Sequence, residues 1–137
     1  MKKITIFIFL ILPLMAISQS SNTERFSCHE DSILAVADKM PEFPGGDIAL
    51  RKFIATNIHY PVAPVEEVNI GKTYVKFCIN RAGAVERIKV VRSIHPKFDK
   101  EAIRVVKSFP NWIPGKKNGK LVCVWYTIPI NVHWKED

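Results

Sequence analysis

Lys72-Thr73-Tyr74-Val75-Lys76-Phe77-Cys78-Ile79-Asn80 is followed by Arg81-Ala82-Gly83, then by a second apolar run through Val85, Ile88, Val90 and Val91. In the first run Thr73, Val75, Phe77 and Ile79 fall on one face. Tyr74, Lys76, Cys78 and Asn80 fall on the other, which is the period-two signature of a half-buried strand. Gly83, free to take positive φ, closes a short hairpin loop. Alternation in the return run is imperfect, which predicts a bulge or a strong twist there.

Upstream of this hairpin, Pro41-Glu42-Phe43-Pro44-Gly45-Gly46 forbids regular structure. Asp47 is placed to N-cap a helix behind it. Leu50, Phe53, Ile54 and Ile58 recur at helical spacing, with Arg51 and Lys52 turned outward. Tyr60-Pro61 ends that helix, since a residue before proline is driven out of the α region. Residues 61–69 read as a loop, with Glu66-Glu67 in solvent.

Downstream, Phe98, Ala102, Val105, Val106 and Phe109 mark a second amphipathic helix. A proline- and glycine-rich loop over 111–118 follows. Val122, Val124, Tyr126 and Ile128 then alternate with Cys123, Trp125 and Thr127 in a last strand. Pro129 cannot donate to a ladder, which predicts a sheet edge. The order is helix, hairpin, helix, strand. It predicts an α+β domain of two layers, with two helices on one face of a three-stranded antiparallel sheet (α-β-β-α-β).

The chain has 137 residues, 47% hydrophobic and 24% charged, enough for one globular core and inconsistent with wholesale disorder. Residues 1–18 are set apart. Met1-Lys2-Lys3 is a short basic start, and residues 4–17 are almost unbroken in apolar character. Ala16-Ile17-Ser18 before Gln19 has the small-x-small pattern read by signal peptidase, so residues 1–18 are expected to be an export signal, with a short uncleaved anchor as the rival reading. The run falls short of the roughly 20 residues of a bilayer span. Removing Lys2 and Lys3 lowers the net charge from +7 to +5. Residues 19–35 read as a flexible polar lead and residues 36–137 as the domain. Export places the chain where disulfides are permitted.

Motifs for chemistry are missing. His29, His59, His95 and His133 are far apart, and Cys28-His29 has the wrong spacing for a zinc pair. Cys78 and Cys123 lie within the expected strands, where a small buried hydrophobe or a disulfide accounts for them. The stretch from Gly115 to Lys120 is one residue short of a phosphate loop, carries Leu121 in place of Ser/Thr, and precedes a strand. Glu30-Asp31, Glu66-Glu67 and Glu136-Asp137 sit in polar loops or tails. Positive charge is spread along the chain without a basic-aromatic stripe, which argues against nucleic acid as a partner. No enzyme activity, metal or cofactor is expected.

Met40-Pro41-Glu42-Phe43-Pro44-Gly45-Gly46, Tyr60-Pro61, Gly71, Tyr74-Val75-Lys76-Phe77, Gly83, Asp99-Lys100-Glu101-Ala102, Trp112, Pro114-Gly115, Asn118-Gly119 and Ile128-Pro129-Ile130 together resemble the TonB C-terminal domain, in the form found in Bacteroidota-type energy transducers. The resemblance spans about residues 36–134. It implies a periplasmic domain that docks on TonB-dependent outer-membrane receptors and accepts their Ton box by strand addition on the last strand. It thereby implies a part in energised uptake of siderophores, vitamins or glycans. By position that edge is Leu121, Val122, Cys123, Val124, Trp125, Tyr126, Thr127 and Ile128, running on to residue 130. Asn57, His59, Tyr60 and Pro61 match the family's Tyr-Pro contact region.

The resemblance also implies that the first and last strands are neighbours. Cys78 and Cys123 would then share a face and approach one another, leaving Cys28 unpaired, with Trp125 beside them for a partner or a homodimer. The chain departs from a full transducer in its short apolar run and in having only about 20 polar residues before the domain. These would reach roughly 70 Å fully stretched. Inner-membrane motor proteins are partners only if the anchor is retained. The alternative function is a free periplasmic interaction module that binds partners without transducing energy.

Overall fold

The computed structural model describes residues 26–62 and 70–135. The export signal expected at 1–18, the first part of the expected lead and the acidic pairs Glu66-Glu67 and Glu136-Asp137 lie outside the described residues. Among the described residues no helix is long and apolar enough to cross a membrane.

The elements are α1 (Gly46–Asn57), β1 (Gly71–Ile79), β2 (Val85–Arg92), α2 (Pro96–Lys107), β3 (Gly115–Lys117), β4 (Lys120–Val122) and β5 (Val124–Val132). The main sheet is antiparallel with order β2-β1-β5, and β3 and β4 form a separate two-stranded hairpin. The α-β-β-α-β order expected from the sequence is present, with that hairpin added.

Thr73, Val75, Phe77 and Ile79 are fully buried on the helix side of β1. Opposite them on β5 stand Ile130, Ile128, Tyr126 and Val124. Because both strands keep period two through an unbroken register, their apolar sets fall on the same face. Helix α2 closes that face over β1 and β2, burying Phe98, Ala102, Val105 and Val106. His95 precedes Pro96, and its Nδ1 accepts the Lys97 N–H at 3.1 Å, which supplies the cap. An aromatic group fills the space between the helices: Phe43, Phe53, Phe109 and Trp112 meet with ring centroids 5.5–5.9 Å apart.

The breaker cluster ends in Gly45, at φ 89°, which takes the N-cap position of α1. Asp47 lies inside the first turn and makes no capping hydrogen bond, so the expected cap shifts upstream to a glycine that needs positive φ. Asn80 organises the β1–β2 turn. Its Oδ1 accepts the N–H groups of Ala82 and Ala84. Gly83, at φ 85°, is pressed against the Trp112 backbone, and its carbonyl accepts the Trp112 N–H at 2.7 Å.

Two further expectations are corrected. The last strand is not continuous from Leu121: Leu121 and Val122 belong to β4, paired with Lys116 and Gly115, and the main sheet resumes only at Val124. The positive-φ pair Asn118-Gly119 makes the tight turn that bends β4 back on β3. The disulfide joins Cys28 to Cys123, with Cα atoms 6.2 Å apart, and Cys78 is the free, buried thiol. Cys78 does share the expected face. The bridge goes to Cys28 because the last part of the lead is docked: the Cys28 N–H donates to Glu86 Oε1 at 2.8 Å and its carbonyl accepts from Arg87.

Candidate functional site: the outer edge of β5

β5 pairs with β1 on one side only. At its head the docked lead adds a single parallel bridge, Leu34 to Val124. The Leu34 N–H donates to the Cys123 carbonyl at 2.9 Å, and the Trp125 N–H donates to the Leu34 carbonyl at 2.8 Å. Trp125 therefore presents its backbone groups away from β1. Strand alternation turns those of Thr127, Pro129 and Asn131 the same way. Among the described residues no backbone partner meets them. Pro129 falls in this outward set, so its missing N–H costs the β1 ladder nothing.

The open stretch is flanked by helix α1. Asp47, Leu50, Arg51 and Ile54 face Tyr126, Thr127, Ile128 and Pro129 across a cleft of about 210 Å³. Arg51, Ile54 and Pro129 also line a second cleft of about 290 Å³ that continues toward Tyr60 and Asn131. Arg51 and Ile54 are one helical turn apart, which aims both at the same strand. Burial, reinforced by the Asp47 carboxylate, raises the Tyr126 phenol above its ordinary value, so it stays neutral and able to hydrogen-bond. A groove with an open strand edge as one wall and a half-polar helix as the other can hold an extended peptide.

Tyr60, Pro61 and Val62 wrap the far end of β5. The Tyr60 ring stacks on His133 with centroids 3.7 Å apart, and the Pro61 carbonyl accepts the Lys135 N–H at 2.9 Å. Tyr60 lines the cleft. Asn57 and His59 are turned to α2 instead. The Asn57 carbonyl accepts from Arg104, and the His59 N–H donates to Glu101 Oε1 at 2.6 Å. Arg104 holds the Glu101 carboxyl below the usual carboxylate range. These two residues thus anchor the segment that presents Tyr60.

Of the eight residues expected on the edge, Val124, Trp125, Tyr126, Thr127 and Ile128 are in β5. Cys123 is the hinge between hairpin and strand, and Leu121 and Val122 are outside the main sheet. Sequence reasoning missed Leu34, Arg51 and Ile54 as parts of the site. For Arg51 and Ile54 the helical period was the available signal, because residues flanking a helix's core face border whatever that face covers. Leu34 carried no such signal. The group of metal-ligating side chains that converges among the described residues is Cys28, Cys78 and Cys123, two of which are joined in the disulfide.

The family model described as "Gram-negative bacterial TonB protein C-terminal" matches residues 56–133. Among solved structures, the NMR solution structure of the Helicobacter pylori TonB C-terminal domain is 28% identical, with a TM-score of 0.48, over 66% of this chain and 81% of that chain. A comparison with curated proteins gives no match.

Proposed function

The chain belongs to the family of Gram-negative bacterial TonB protein C-terminal domains, and from that premise we propose that it binds the Ton box of TonB-dependent outer-membrane receptors in the periplasm. The receptor segment adds as a strand to β5 and so contributes to energised uptake of large nutrients. The observation that carries this reading is the row of outward backbone groups at Thr127, Pro129 and Asn131, which no backbone partner meets among the described residues. An extended peptide satisfies such a row while its alternate side chains enter the α1 cleft. Tyr60, held at the end of the cleft by the Glu101–His59 and Arg104–Asn57 contacts, bounds the bound segment.

The test is titration of the protein with a Ton-box peptide, read by amide chemical-shift changes. Changes centred on Thr127, Ile128 and Asn131, with new protection of the Thr127 and Asn131 amides, are expected. Changes centred on Val85–Arg92, or none at millimolar peptide, would sink the reading. Coupling to an inner-membrane motor is a separate matter, decided by whether Met1 to Ser18 is retained and fractionates with membrane. A start at Gln19 would favour the free interaction module.

A further inference from the structure

The sulfur atoms of Cys28, Cys78 and Cys123 lie within 4.8 Å of one another, and the three residues are almost wholly buried, at 3%, 0% and 5% exposure. Their carriers differ in freedom. Cys78 is in the central strand, opposite Trp125. Cys123 is the hinge leading into β5. Cys28 is on the docked lead, whose Leu34 occupies the Cys123 carbonyl and the Trp125 N–H at the head of the open edge.

We propose that the three cysteines form a thiol–disulfide exchange site that unfastens the lead from β5. The Cys78 thiolate attacks Cys123 Sγ, forming the Cys78–Cys123 bond as the Cys28–Cys123 bond breaks. Cys28 leaves as a thiolate and takes up a proton, and the one lost by Cys78 goes to water. The step is redox-neutral and needs no outside oxidant or reductant. Its product fastens β5 to β1, which are paired in either state, and leaves residues 26–34 without a covalent tie, held by the Glu86 and Arg87 contacts to Cys28, the Arg87–Glu30 pair, the Leu34 bridge and the packing of Ile33. Departure of Leu34 exposes the Trp125 N–H and the Cys123 carbonyl and lengthens the open edge toward its head. The consequence for peptide binding rests on the strand-addition reading above, whereas the exchange itself does not.

The surroundings set the rate. Burial pushes the Cys78 thiol up to about 12, with the Glu86 carboxylate adding to the rise and Arg87 and the Val124 backbone partly opposing it. Ile33 and Trp125 close the cluster with apolar surface, and Lys76 and Lys89 lie over the outer side of the Trp125 ring. The attacking thiolate is therefore scarce at neutral pH, and the Cys28–Cys123 form persists until the cluster opens.

The experiment uses the oxidised full chain, incubated at pH 7, 8 and 9 with iodoacetamide, then mapped by mass spectrometry against a denatured control. The alkyl label is expected on Cys28, together with a Cys78–Cys123 bridge, about tenfold faster per pH unit. Label confined to Cys78, or no label at pH 9 over about a thousand times the period in which the denatured protein reacts fully, would overturn the exchange. Cys28→Ser and Cys78→Ser, each able to form one bridge, are then compared by amide hydrogen exchange. Faster exchange of the Trp125 amide in Cys28→Ser supports release of the lead, and equal exchange overturns it. Peptide titration separates the two readings. Binding about tenfold tighter to Cys28→Ser supports both, and equal binding overturns the control of the edge by the lead. Binding to neither variant refutes strand addition and leaves the labelling result to decide the exchange.

Discussion

The main sheet has two edges, and they are built differently. Along β2 the register with β1 shifts twice, between Tyr74 and Val75 and between Lys76 and Cys78. Arg87 sits at φ 54° in the second irregularity, and Lys89 and Arg92 stand exposed beside it. Bulges and cations of this kind stop a second chain from pairing with an edge. Along β5 nine consecutive residues pair with β1 without a shift. Among the described residues its outer side is covered at the head by Leu34, interrupted in the middle by a proline, and met just beyond its far end by Pro61 and Val62. The blunting of β2 is part of its backbone course, whereas that of β5 rests on a separate segment fastened by a disulfide. A straight edge with a detachable cover is suited to accept a strand, and a bulged, charged edge is suited to refuse one.

The largest expected effect tests the fastening. The Cys28–Cys123 bridge closes a loop with a sequence separation of 95. Loop-closure entropy for that length contributes about 4.7 kcal/mol. The double variant Cys28→Ser/Cys78→Ser, which cannot form any intramolecular bridge, is expected to lose that amount relative to Cys78→Ser in guanidinium unfolding without reductant. A loss below about 1 kcal/mol would mean that the cover of β5 is held by its hydrogen bonds, and would weaken the contrast with β2.

Next comes the turn that joins β1 to the blunted edge. At Gly83 positive φ and the crowding of the Trp112 backbone coincide, so Gly83→Ala is expected to cost about 3 kcal/mol. Gly119, at φ 73° with open space around it, provides the comparison, and Gly119→Ala should cost about 1 kcal/mol. Thermal unfolding of the two variants measures both. Equal costs would show that the Trp112 contact contributes nothing beyond the backbone angle.

The difference between the edges was only partly legible in the sequence. The straight strand β1 could be read from Thr73, Val75, Phe77 and Ile79 because one face is wholly buried and period two is then enforced. The irregular period of Val85, Ile88, Val90 and Val91 announced the bulges of β2, and Pro129 announced that β5 is an edge. The break at Cys123 was not legible, because Leu121 and Val122 continue the alternation of β5 while pairing elsewhere through the Asn118-Gly119 turn. The disulfide partner was misassigned for a related reason. Strand alternation puts Cys78 and Cys123 on one face, but a segment with no regular period brought Cys28 between them. Local pattern reports which face a residue occupies. It does not report which distant segment arrives there, since that depends on single contacts such as Glu86 with the Cys28 N–H.

The open part of β5 is tested by removing one outward donor. Thr127→Pro deletes an N–H that points away from β1, so the internal ladder is kept and only the incoming strand loses a partner. One hydrogen bond of about 1.4 kcal/mol corresponds to a tenfold loss of Ton-box peptide affinity, measured by calorimetry. Lys89→Ala on the other edge should leave affinity unchanged. Equal losses in the two variants would erase the distinction between the edges.

The smallest effect concerns the far end of β5, where Tyr60 is presented by contacts to α2. Glu101 receives hydrogen bonds from Arg104 and from the His59 N–H, and its carboxyl is held below the usual range chiefly by Arg104. A carboxyl depressed in the folded state contributes stability that is present above its unfolded value, about 4.3, and is lost as pH falls through the folded value. Both Glu101 contacts lie near the surface, so Glu101→Gln should cost no more than about 1 kcal/mol at pH 7. The difference between variant and native protein should shrink below pH 4, where the native carboxyl is itself becoming protonated. If the cost instead stayed constant down to pH 3, the contribution of Glu101 would be packing rather than charge. The anchoring of Tyr60 at the end of the open edge would then be insensitive to acid.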